Sequence, residues 1–193
     1  MMNVNKVHGN FVKYGVMRDV FNPEEIEKIL FLEKLLDFRK GEVGNGTVTT
    51  HRDSNIAWLQ PDENARWIFD KISFITSKVN YDLFMYDINR IPAVQYTKYD
   101  SLMEQHYDWH VDEYSHYNDY QRKVSGVIIL TGPDEYEGGE LEVIHNGNPE
   151  QSVKLKPNAG EVVFFASHMP HKVHPVTSGI RKSIVFWAEG PWG

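Results

Sequence analysis

The chain has 193 residues, a formal net charge of −7 from 20 Lys+Arg against 27 Asp+Glu, and 41% hydrophobic and 13% aromatic residues. This length and composition suit one folded globular domain with a sizeable core, and an acidic balance without a basic cluster argues against gripping a nucleic-acid backbone. The absence of cysteine excludes disulfides and thiolate metal sites, so any metal must be held by His, Asp, Glu or backbone oxygen.

The opening Met-Met-Asn-Val-Asn-Lys lacks the apolar stretch of a signal peptide. The longest apolar runs, such as Val127-Ile128-Ile129-Leu130, are far too short to span a bilayer. The expectation is a soluble cytoplasmic protein with no membrane partner.

Asn22-Pro23-Glu24-Glu25 supplies a capping residue, a proline for the first helical position and acids for the first turn. The helix it predicts carries Ile26, Ile29, Leu30, Leu32, Leu35 and Leu36 on a broad apolar face, with Gly41 and Gly44 as stops. Val48 to Leu59 reads as extended. A second helix starts at Pro61-Asp62-Glu63 and spaces Trp67, Ile68, Ile72, Phe74, Ile75 and Val79 along one face.

From about residue 93 onward, short β-rich runs take over. They are Val94–Tyr99, Val124–Thr131, Leu141–His145, Val153–Leu155, Val162–Ala166 and Ser183–Ala188. Gly132-Pro133-Asp134, Gly138-Gly139, Asn146-Gly147-Asn148-Pro149 and Pro157-Asn158-Ala159-Gly160 separate them as turn signals. This texture predicts a mainly β fold, a sandwich or jelly roll, with the N-terminal helices packed outside it. With no repeat or linker in sight, residues 1–193 read as one domain. Residues 1–92 would be helical and extended support, and 93–190 the β core.

His110 and Asp112 are two apart, so in an extended strand both point to one face. A further histidine from a distant strand would complete two imidazoles and a carboxylate, the set that leaves open positions on a non-haem Fe(II). Taken alone, the tripeptide is a common one and reads first as a buried hydrogen-bonded pair. His106 and His110 are four apart, and with Asp112 they would make a zinc hydrolase site if helical. The glutamate of that motif is missing, because Tyr107 stands in its place, and the flanks are strand-like. His8, His51, His116 and His145 read as ordinary polar residues. His171 and His174 point oppositely if extended, so only one of them faces the core. In the strand that follows, Arg181, Ser183, Val185 and Trp187 share one face. An arginine on an interior face is costly unless it meets an anion, and its planar fork suits a carboxylate. The alternative is an Arg–Glu pair within the protein.

Several runs in register then resemble one family: Gln95-Tyr96-Thr97-Lys98-Tyr99, Tyr107-Asp108-Trp109-His110-Val111-Asp112, Gly138-Gly139-Glu140-Leu141 and His171 through Arg181. Together they are similar to the Fe(II)- and 2-oxoglutarate-dependent dioxygenases, in the prolyl-4-hydroxylase-like, PKHD-type branch of bacteria and phages. The resemblance implies a double-stranded β-helix (cupin-like jelly roll) core. It implies Fe(II) on His110, Asp112 and His171, and 2-oxoglutarate with its distal carboxylate on Arg181, helped by Tyr99 and Ser125. O2 and ascorbate complete the implied set. Tyr107 and Trp187 resemble substrate-side aromatics. The segment between Tyr99 and His110 is longer than in the family and holds no glycine, which leaves Tyr96 as the alternative to Tyr99. The implied reaction hydroxylates a C–H bond with release of succinate and CO2. Its substrate would be a peptidyl residue such as proline, or else a free amino acid or small metabolite, in the host cytoplasm for a phage-encoded member. A jelly roll that binds metal or ligand without catalysis is the other reading. The polar, aromatic run Asp112 to Tyr120 reads as a surface loop over the metal, a lid or a solvated connection.

Overall fold

The computed structural model describes residues 14–42, 50–113, 119–145 and 147–192. Along the chain the elements are β1 (Tyr14–Met17), α1 (Pro23–Leu32), β2 (Arg39–Lys40), β3 (Arg52–Asp53), β4 (Asn55–Leu59), α2 (Arg66–Val79), β5 (Val94–Asp100) and β6 (His106–His110). There follow β7 (Tyr120–Ile129), β8 (Tyr136–Gly138), β9 (Leu141–Val143), β10 (Val153–Leu155), β11 (Val162–Ala166), β12 (His171–Val173) and β13 (Val176–Pro191). The larger sheet has the order β1-β11-β7-β13-β5-β4-β2, with β8 paired to β13; the smaller is β10-β9-β12-β6-β3. Every pairing is antiparallel, and inward residues of both sheets line a single cavity. This is the jelly-roll arrangement expected from the strand texture.

The first ninety or so residues do more than support this core. β1 extends the larger sheet beside β11, β4 pairs with β5, and β3 closes the smaller sheet beside β6.

Helix α1 forms where its capping signals sit. Asn22 accepts from the Glu25 backbone N–H while the Glu25 carboxylate accepts from that of Asn22, a reciprocal cap worth about 1 kcal/mol. Ile26, Ile29 and Leu32 are buried, but Leu35 is 64% exposed. The apolar face ends early because the chain tightens into a 3₁₀ turn at Glu33–Leu35, long before Gly41. Helix α2 begins at Arg66, later than its proline signal, because Asp62 first turns the chain by accepting from the N–H groups of Asn64 and Ala65. Ile68, Ile72, Ile75 and Val79 are buried on one stripe, whereas Phe74 lies off it and is exposed.

Period-two alternation decides what each face of the larger sheet meets. On one face of β5 and β13, Tyr96, Lys98 and Lys182 all donate to the Glu33 carboxylate, at 2.9, 2.9 and 2.8 Å. Burial raises that carboxyl, but the two lysines and Tyr96 hold it below its usual range. This cluster fastens the end of α1 to the sheet. It also removes Tyr96 as the alternative to Tyr99, since its hydroxyl is committed to the helix side. Gln95, Thr97 and Tyr99 of β5, with Arg181, Ser183, Val185 and Trp187 of β13, face the cavity. Among the described residues no helix is long and apolar enough to cross a membrane.

Candidate active site

Strand β6 departs from simple alternation at the place that matters. His171 of β12 pairs with His110, yet Val173 pairs with Tyr107. A two-residue advance on one strand thus meets a three-residue advance on the other, a bulge at Asp108–Trp109. The extra residue brings Tyr107 round to the side of His110. The two rings stack with centroids 3.5 Å apart, and both line the cavity. β6 ends at His110, so Asp112 lies beyond the strand and is positioned by its own N–H, which donates to the Ser167 carbonyl at 2.8 Å.

His110, Asp112 and His171 each offer one ligand atom, and these lie within 4.8 Å of one another. Asp112 Oδ1 is 3.7 Å from His110 Nε2, and Oδ2 is 3.4 Å from His171 Nε2. On the far side of each ring, Nδ1 meets a backbone carbonyl: Asp108 at 2.7 Å and Met169 at 2.9 Å. A carbonyl only accepts, so each Nδ1 carries the proton and each Nε2 turns a lone pair to the shared point. Burial, then repulsion from His171, lowers the pKa of His110 from 6.5 to about 3 against the pull of Asp112. Burial works against the Asp112 carboxylate, but His171 and His110 hold it well below the usual range. With Asp112 ionised and Nε2 of each ring free of a proton, the three groups form the donor set that a divalent metal takes.

The alternative zinc set does not assemble. His106 lies outside the group, with Nδ1 on the Glu104 carbonyl at 3.1 Å. His174 turns to the opposite side of β12, where its Nε2 is 2.6 Å from Glu142 Oε2. His8, His116 and the centre of the expected loop, residues 114–118, lie outside the described residues.

Arg181 is 2% exposed and lines the same cavity. Its Nη1 donates to Ser183 Oγ at 3.2 Å, its guanidinium carbon is 5.6 Å from the Tyr99 ring centroid, and its Nε is buried without a hydrogen-bond partner. Every Asp and Glu side chain belongs to the described residues, and none forms an ion pair with it. The internal Arg–Glu pair is thus absent, and an unpaired buried guanidinium beside a metal-ligand cluster suits an anionic guest. Gly139 makes the room: a Cβ there would lie 3.1 Å from Arg181 Cδ, and its φ of +65° suits glycine. Tyr99 lies fully inside, and burial raises its phenol pKa despite Arg52 and Arg181, so it is available as a protonated donor. The neighbouring Tyr107 is pushed up to about 12 for the same reason.

Ser125 is placed differently from the expected co-substrate contact. It sits behind Asp112, donating to Oδ2 at 2.9 Å, and does not line the cavity. Trp187 does line it, with the Arg122 guanidinium 4.0 Å from its ring centroid. Sequence reasoning missed Arg52, which reaches the cavity from β3. It is held by Ser54, the Glu42 carbonyl and Gln95, 4.7 Å from the Tyr107 ring centroid. Its surroundings, His51-Arg52-Asp53-Ser54, carry no apolar alternation that could have pointed inward.

The donor set and the unpaired guanidinium fit Fe(II) and 2-oxoglutarate, and sequence comparison points to the same groups. The pattern of the 2OG-Fe(II) oxygenase superfamily matches residues 94–189. The chain belongs to this superfamily. It is 39% identical over 105 residues to a PKHD-type hydroxylase of Gluconobacter oxydans, covering 52% of this chain and 44% of that protein. The first such relatives are matched over 28% to 44% of their own length. Two solved oxygenase folds superpose on almost the whole chain. A Trichoplax adhaerens prolyl hydroxylase, in complex with a hypoxia-inducible-factor peptide, gives a TM-score of 0.75 at 21% identity over 91% of this chain and 82% of that one. A viral collagen prolyl hydroxylase from Paramecium bursaria Chlorella virus-1, in complex with 2OG, gives 0.67 at 21% identity over 92% and 96%.

Proposed function

We propose that this chain is a Fe(II)- and 2-oxoglutarate-dependent dioxygenase that hydroxylates a C–H bond of a peptidyl residue such as proline. The observation that carries the reading is the meeting of two features in one cavity: the three ligand atoms within 4.8 Å and the unpaired, buried Arg181. A non-catalytic metal site has no use for that guanidinium. A zinc hydrolase would need a general base beside the metal. The peptidyl substrate is supported by the prolyl hydroxylases among the related folds.

In this reading His110, Asp112 and His171 hold the metal, and their two neutral imidazoles and one carboxylate leave part of its charge for an acidic co-substrate. Arg181 receives the distal carboxylate of 2-oxoglutarate, with Tyr99 as a second donor. When bound, Fe(II) with 2-oxoglutarate and O2 supplies the oxidising power, and the co-substrate leaves as succinate and CO2. The protein contributes position and dryness. Tyr107, stacked on His110, and Trp187 wall the substrate side with apolar surface that excludes water.

The test is anaerobic addition of Fe(II) and 2-oxoglutarate. A visible charge-transfer band is expected, absent in His171→Ala and requiring far more co-substrate in Arg181→Met. Lack of a band in the unaltered protein, with tight retention of zinc, would sink the proposal.

A further inference from the structure

The carboxylate among the three ligand candidates is not held by its backbone alone. Asp112 Oδ2 accepts from Ser125 Oγ at 2.9 Å, and Ser125 Oγ lies 2.9 Å from Ser167 Oγ. Both serines are 0% exposed. The backbone carbonyl of Ser167 also accepts the Asp112 N–H at 2.8 Å, so one residue grips Asp112 at the main chain and, through Ser125, at the side chain. Strand pairing fixes the framework: Ser125 stands opposite Phe165 on one side and Trp187 on the other, in the middle of the larger sheet.

Counting protons gives the chain a direction. Ser125 Oγ donates to Asp112 Oδ2, so its single hydroxyl proton is spent there. The contact between the serines must then be supplied by Ser167, donating to Ser125. The order is Ser167 to Ser125 to Asp112, and each donation strengthens the next.

We infer that Ser125, polarised by Ser167, is a positioning residue that dictates how Asp112 meets the metal. This rests on the proposed metal site. With Oδ2 accepting from Ser125, a two-oxygen grip is disfavoured and the carboxylate engages through one oxygen. One-oxygen binding keeps a coordination position open that a two-oxygen grip would fill. Both a chelating keto acid and O2 need such positions on the same metal. The serine pair therefore serves metal affinity and also the number of sites left for the reaction.

The experiment uses Mn(II) alone as probe, titrated by loss of the free-ion electron paramagnetic resonance signal. The proteins are the unaltered chain, Ser125→Ala, Ser125→Thr, Ser167→Ala and the double alanine variant. Loss of an outer hydrogen bond to a metal ligand weakens binding by about 10–100-fold, and this is the expectation for Ser125→Ala. Ser125→Thr keeps the hydroxyl and should bind nearly as the unaltered chain does. Ser167→Ala should weaken binding by a smaller factor, and the double variant should be no worse than Ser125→Ala, because the two serines act in series. Unchanged Mn(II) affinity in Ser125→Ala overturns the inference, as does an independent multiplication of the two losses. Should Ser125→Ala fail to fold, Ser125→Thr and Ser167→Ala decide it on the same terms. A charge-transfer band that persists with normal Mn(II) binding in every serine variant sinks only this inference. Mn(II) binding indifferent to His171→Ala sinks the metal site itself.

Discussion

Replacing Arg181 with methionine should stabilise the ligand-free protein while destroying its hold on 2-oxoglutarate. The guanidinium is 2% exposed, unpaired by any Asp or Glu side chain, and leaves Nε without a partner. Bringing such a charge out of water costs several kcal/mol. The hydrogen bonds to Ser183 and Tyr136 and the Tyr99 ring return only part of that, about 1.5–3 kcal/mol for the hydrogen bonds together and about 0.5–1 kcal/mol for the ring. Methionine keeps the length of the stem and removes the charge, for a net gain of about 1–3 kcal/mol. In a chain of this size each kcal/mol moves the melting temperature by about 2–4 °C, so a rise of about 2–12 °C is expected in metal-free protein. The same change deletes one half of a desolvated charge pair with the co-substrate, a loss of about 2–5 kcal/mol or roughly thirtyfold to several thousandfold in affinity. Calorimetry on chelator-treated protein and anaerobic titration of the charge-transfer band read the two effects separately. A melting temperature that falls, or co-substrate binding that survives, would show that Arg181 is a structural residue and refute the reasoning.

Three further outcomes follow from the same geometry. His110 stays neutral in the metal-free fold with a pKa of about 3 against 6.5 in the unfolded chain, so only the unfolded state takes up a proton between those values. Stability is then lost as pH falls through this window, at up to about 1.4 kcal/mol per pH unit for one group, and chemical denaturation of His110→Gln should show a shallower slope; an identical slope contradicts the assignment. Gly139→Ala, strained at positive φ and crowding Arg181 Cδ, should raise the KM for 2-oxoglutarate more than it weakens Mn(II) binding, and the reverse order would count against the packing argument. His174→Ala should leave the charge-transfer band intact yet lower thermal stability, because its imidazole helps hold the buried Glu142 carboxylate, whose pKa burial opposes but Ser152, His174 and Lys172 depress to about 2; loss of the band would mean that the two histidines have been assigned to the wrong faces.

Much of this was legible because strand alternation is a strong constraint. It assigned Arg181, Ser183, Val185 and Trp187 to one face and set His171 apart from His174, and the cavity and the Glu142 contact lie where those faces require. Helix α1 could be read from its cap, since a capping box is a local event written in adjacent residues. What escaped was non-local. The bulge in β6 turns Tyr107 to the side of His110 against the period-two rule, and it exists only because β12 pairs across it. The family resemblance set Ser125 against the co-substrate; only the folded structure shows that Asp112 intercepts its hydroxyl. Leu35 and Phe74 follow apolar spacing yet face out, because the helix ends or its buried stripe runs elsewhere. Arg52 gave no signal in sequence, since the short edge strand that carries it is defined by β6 rather than by its own composition.

The central claim is that this cavity couples oxidation of 2-oxoglutarate to O2. Its most direct test is turnover of unlabelled 2-oxoglutarate under ¹⁸O₂ with Fe(II), followed by mass spectrometry of the product. The account predicts succinate carrying one ¹⁸O atom, formed only with Fe(II) present and not by His171→Ala. Succinate without label, or none above the level of His171→Ala, would contradict it.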